Sequence, residues 1–174
     1  MKLTIKDRLI LANQYKILEA LYPKEANEYA KHRKAIEQGY ALHYSWTVEW
    51  FYDEMSEDDC QEVIDILNMY RAIWFSYLAI EDKSGVEDEY MLKFKGFDGN
   101  EESSQYGYAE YFINDLNRFQ ELKYGEENRS LNSHHSYINS YRIMLACWQD
   151  MGKPYNMNKT MLKKLLTCRS NEDA

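Results

Sequence analysis

The chain has 174 residues, 45% of them apolar and 29% charged, with a formal net charge of −8. Seven Gly and two Pro among dispersed apolar residues exclude a collagen-like or wholly disordered polymer, and the length suits one packed core. No window approaches ~18 uncharged apolar residues and the first residues carry no export signal, so the sequence predicts a cytoplasmic protein with no membrane partner.

Charge is segregated. Residues 1–39 carry eight Lys/Arg against five Asp/Glu, residues 40–128 six against twenty-one, and residues 129–174 seven against three. The overall acidity argues against coating of duplex DNA, which needs a broad basic face. Cys60, Cys147 and Cys168 are odd in number, far apart and without a Cys-x-x-Cys pair, so neither a disulfide framework nor a zinc site is indicated, and Cys60 and Cys147, among apolar residues at helical spacing, read as buried thiols.

Thr4 and Asp7 form an N-cap signature, and Leu9, Ala12, Ile17 and Leu21 recur behind them, which predicts a helix over 5–21. Asn13 and Gln14 within it are costly to bury unpaired, so they are expected to face another helix, a second subunit or solvent. Pro23 and Gly39 bound a second helix. The aromatic run Trp46, Trp50, Phe51, Tyr52 is expected to fill core, with an exposed partner patch as the alternative.

Ser56 and Asp59 cap a long helix with one apolar face from Cys60 to Leu78. Residues 82–104 lose that pattern, and Tyr90, Leu92 and Phe94 alternate as one short strand or extended segment near 90–95 would. Helical spacing returns over 105–123, stopped by Gly125. A further helix carries Ile138, Tyr141, Met144, Leu145 and Trp148, and Asn158 caps a last short one. The expected fold is mainly α: a single domain of six or seven helices over residues 1–168, with a frayed tail at 169–174.

Arg8-Leu-Ile-Leu-Ala-Asn-Gln-Tyr-Lys, Ile36-Glu-Gln-Gly-Tyr, Val63-Ile-Asp-Ile-Leu-Asn-Met-Tyr-Arg-Ala, Phe94-Lys-Gly-Phe-Asp and Tyr141-Arg-Ile-Met-Leu-Ala-Cys-Trp together resemble the YfbU family of bacterial proteins. That resemblance implies a multi-helical, cytoplasmic, self-associating protein without an established biochemical activity. It carries over no catalytic residue, and the segments 46–52 and 83–91 depart from its pattern.

Phosphate-loop, dinucleotide, nucleophile-elbow and zincin motifs are absent, and no cofactor is expected. Asp58, Asp59, Glu62 and Asp65 are a possible Mg²⁺ row, but acids in a first helical turn are already stabilised by the helix dipole, so no metal is expected. Arg129-Ser-Leu-Asn-Ser-His134 has the Arg-x4-His form of the HEPN class of ribonucleases. In such a site His134 is the general acid/base and Arg129 the phosphate clamp, with Asn132 or Tyr137 as helpers and RNA as substrate. The reading favoured by sequence is a non-enzymatic, self-associating interaction or regulatory module with a possible protein partner. The metal-independent ribonuclease is the alternative.

Overall fold

A computed structural model describes residues 1–86 and 89–169. The chain divides into two compact units, Met1–Glu54 and Met55–Ala174. The tail expected to fray lies, beyond Arg169, outside the described residues.

The first unit is a helical hairpin. Helix α1 (Ile5–Leu21) starts where the Thr4 side chain accepts the Asp7 amide at 3.2 Å while Asp7 accepts the Thr4 amide at 2.9 Å. Helix α2 (Ala26–Gln38) stops at Gly39, whose φ of +75° is the left-handed conformation that favours glycine at a helix end. A 3-10 segment over Ala41–Val48 follows. Only Ala12, Ile36 and Tyr44 are fully buried in this unit, flanked by half-buried Leu3, Leu11 and Tyr15.

The second unit is built round α3 (Glu57–Ala79), which Ser56 caps by accepting the Asp59 amide at 3.1 Å. Its buried face, from Val63 to Tyr77, packs against α5 (Ser103–Glu110), α6 (Ile138–Asp150) and α7 (Lys159–Arg169), with the short turn α4 (Glu89–Leu92) closing one end. Tyr70, Phe94, Phe97 and Tyr141 form an aromatic centre with ring centroids 5.3 to 5.6 Å apart. Burial pushes the Tyr70 and Tyr141 hydroxyls well above the usual phenol range.

Two expectations need correction. The helix predicted over 105–123 is broken: α5 passes into a π-type turn over Tyr111–Asp115, and Asn117 and Phe119 take positive φ before a 3-10 turn over Gln120–Lys123. This break buries Ile113, Phe119 and Leu122 together and leaves Leu116 exposed.

Cys147 and Cys168 are not separate thiols. The packing of α6 against α7 brings their Cα atoms to 6.7 Å and they form a disulfide, leaving Cys60 as the free cysteine among the described residues. As for a strand, residues 90–95 hold the α4 turn and an extended link. Among the described residues backbone pairing is confined to the parallel bridge between Phe97 and Asn132.

Candidate functional site

Helix α1 is apolar on more than one side and, in its own unit, has one helical neighbour. Ala12, Leu11 and Tyr15 pack toward Ile36 and Tyr44. Ile5, Leu9, Ile10, Ile17 and Leu21 are spread round the rest of the helix and are 83%, 62%, 47%, 58% and 64% exposed. A helix apolar on more than one side is ordinarily buried, so this surface is the anomaly of the hairpin.

The polar groups around it are committed within the unit. Arg8 donates through Nε to the Ile36 carbonyl and through Nη2 to the Glu37 carbonyl, both at 2.7 Å, placing a cation on the negative end of α2. Arg33 grips Glu19 with two nitrogens, at 2.6 and 3.2 Å, and Glu37 at 3.1 Å. Lys16 stands 3.7 Å from Glu37. The Arg33 hydrogen bonds hold the Glu19 carboxyl below its usual range. Between α1 and α2 runs a groove of about 430 Å³, in which charged Arg8, Lys16 and Glu37 stand beside apolar Ile5, Leu9 and Ile36.

The aromatic run is also corrected. Trp46, Trp50 and Phe51 are exposed and Tyr52 is 98% exposed, so these rings do not fill the core. A hairpin whose interior is three residues wide has no room for them.

Arg129 and His134 are placed on the same loop with different surroundings. The Arg129 guanidinium donates to the Phe94 carbonyl at 2.9 Å, lies 4.9 Å from the Tyr124 ring centre and is 3.6 Å from Glu126. Its Nε is buried without a hydrogen bond. His134 is exposed with φ +56°, and its amide donates to the Asn132 side chain, which also accepts the Gly99 amide. Tyr137 stacks on Tyr141.

Three acids of the acidic row, Asp59, Glu62 and Asp65, are committed to ion pairs and a cap. Asp59 accepts from Ser56, Glu62 binds Arg142 with both oxygens at 2.8 and 2.9 Å, and Asp65 binds Lys153 at 2.9 Å. Among the described residues no three His, Cys, Asp or Glu side chains are placed to hold a metal.

Sequence reasoning passed over Glu102. Buried in the second unit, its Oε1 accepts the amides of Tyr137 at 2.8 Å and Ile138 at 2.7 Å and the Ser136 hydroxyl at 2.6 Å, while Oε2 accepts the Asp98 amide at 2.8 Å. It caps α6 from a distant part of the chain, and no local motif marks it.

The two units define an all-helical protein whose most distinctive surface is an uncovered apolar helix face. Among the described residues no helix is long and apolar enough to cross a membrane. The family model described as the YfbU domain matches residues 1–168, and the chain belongs to that family. It is similar to the UPF0304 protein MJECS11 of Methanocaldococcus jannaschii, with 33% identity over 164 residues that cover 92% of this chain and 96% of that protein.

Proposed function

We propose that the protein is a non-enzymatic, cytoplasmic helical module that acts through self-association and regulates or tethers a protein partner. The supporting observation is the exposed apolar surface of α1, which sits on a hairpin with a three-residue core. Removing such a surface from water contributes about 25 cal/mol per Å², which favours a covered state. In a reducing cytoplasm Cys147 and Cys168 remain in the same α6–α7 contact as thiols. Sedimentation equilibrium of the purified full chain tests this reading. A concentration-dependent mass above that of the monomer is expected, and a chain that remains monomeric up to about 200 µM overturns it.

A further inference from the structure

Helix α7 joins the second unit through few buried side chains of its own. It buries Leu162, Leu165 and Arg169, where α3 buries nine residues, and its eleven residues are too few to hold a helix in water unaided. Its start is anchored by Lys159, whose ammonium donates to Asp82 at 2.7 Å and to Ser84 at 2.6 Å. Its end is placed by two neighbouring residues: the Cys168 sulfur is bonded to that of Cys147 in α6, and the Arg169 guanidinium lies 5.2 Å from the Tyr137 ring centre. We propose that Cys147 and Cys168 are a reversible redox latch, a dithiol that a low-molecular-weight disulfide such as oxidised glutathione converts to the linked form, and that the latch controls local opening of the last turns of α7. The inference rests on the cytoplasmic setting proposed above, where thiols are kept reduced, and not on self-association.

Position carries the argument. The packing of α6 against α7 holds the two Cα atoms 6.7 Å apart, inside the ~4.4–6.8 Å that a disulfide spans, so the link forms and breaks without rearrangement of either helix. Both cysteines are half-buried, within reach of a small thiol, and accessible pairs of this kind are the labile and regulatory ones. In the forward step one protein thiolate attacks a sulfur of oxidised glutathione and expels a glutathione thiolate. The second protein thiolate then attacks the protein sulfur of the mixed disulfide and expels the other. Two protein thiols are oxidised, one glutathione disulfide is reduced to two glutathione thiols, and the two protons pass to those thiols. Arg169 gives the latch a load to hold. It is 2% exposed, and keeping a cation out of water is costly, so the end of α7 has a standing tendency to turn outward. With the link closed, Cys168 cannot leave α6 and its neighbour Arg169 stays over Tyr137. With the link open α7 remains docked most of the time, but the open fraction, in which Leu165 and the Tyr137 ring are uncovered, rises about 100-fold.

The test takes the full-length Cys60→Ser chain through mixtures of reduced and oxidised glutathione, counting free thiols by alkylation and intact mass and following α7 by amide exchange. Two free thiols are expected in excess reduced glutathione, and none, without added glutathione mass, in excess oxidised glutathione, with the change reversible. In the reduced chain the amides from Leu165 to Arg169 are expected to exchange about 100-fold faster than in the oxidised chain, and faster than those of Met69 and Tyr70 in α3, which marks a local opening. Adding Cys168→Ser should give the fast exchange under both conditions. A disulfide that persists in excess reduced glutathione is a permanent structural link and overturns the latch, as does a pair that stops at the mixed disulfide. An end of α7 that exchanges in step with Tyr70 in both states opens only with the whole unit and overturns it too. Sedimentation judges the self-association reading separately, and neither result decides the other.

Discussion

Arg8 of α1 closes the end of α2 by donating through Nε to the carbonyl of Ile36 at 2.7 Å. The same guanidinium crowds Gly39, where an added Cβ would stand 3.2 Å from both terminal nitrogens. Arg8→Ala is expected to weaken the hairpin by about 1–2 kcal/mol, because the Ile36 and Glu37 carbonyls at the end of α2 lose a charged donor. Faster amide exchange confined to α1 and α2 is the readout, and exchange that rises equally in the second unit would contradict it.

Acid should loosen the first unit through Glu19. Arg33 hydrogen bonds hold its folded-state pKa below the unfolded value near ~4.3. A depressed carboxyl contributes stability above the unfolded pKa and loses it as pH falls through the folded one. The hairpin is therefore expected to lose stability as pH drops below about 4.3. Glu19→Gln should flatten that acid limb while leaving stability near pH 7 lower than in the parent.

Two glycines in the second unit should respond oppositely to alanine. Gly96 has φ +94°, and a Cβ there would overlap the Leu131 carbonyl that the Phe97 amide needs. Gly96→Ala is expected to cost about 4 kcal/mol or more. Gly107 lies within α5 with open space around it, so Gly107→Ala should stabilise by about 0.5–1 kcal/mol. Urea unfolding of both variants decides the point.

The Cys147–Cys168 link closes a loop of 21 residues' separation. Removing it with Cys147→Ser and Cys168→Ser should cost about 3 kcal/mol under oxidising conditions. Reductant should shift the parent's urea midpoint by a matching amount and leave the double variant unmoved.

Arg129→Ala is expected to lower stability by about 1–2 kcal/mol, since it removes a charged donor from Phe94 and the cation over Tyr124. His134→Gly should gain about 0.5–1 kcal/mol by relieving a left-handed backbone. RNA incubated with the parent protein in chelator is expected to stay intact on a gel. Cleavage that disappears in His134→Ala would replace the non-enzymatic reading with the ribonuclease.

What could be read from sequence was local. Thr4 with Asp7, Ser56 with Asp59, and Gly39 mark helix ends through contacts three or four residues long, and those ends fall where the pattern puts them. Asn158 likewise accepts the Met161 amide at 3.0 Å, at the start of the last helix. The break after Tyr111 escaped because the apolar spacing through Phe119 and Leu122 is satisfied as well by a chain folded back as by a straight helix. The disulfide and the Glu102 cap join residues 21 and more than 30 positions apart, where no periodicity reports. The candidate surface was half legible. The polar Asn13 in an apolar stripe hinted at a partner, but only the exposure of Ile5, Leu9, Ile17 and Leu21 shows which apolar residues of α1 stay uncovered.

Glu102 also ties the start of α6 to a distant part of the chain. Helix α6 is thirteen residues long, near the length at which isolated helices are marginal in water, and the N–H groups of Tyr137 and Ile138 at its start find their acceptor 35 and 36 residues upstream. Its first turn therefore gains a stable start only after the chain between Asp98 and Ser136 has closed into a loop. Synthesised as a separate peptide, the segment would spend most of its time unwound. In the whole protein α6 should become protected late, after α3 has nucleated and the loop carrying Glu102 has docked.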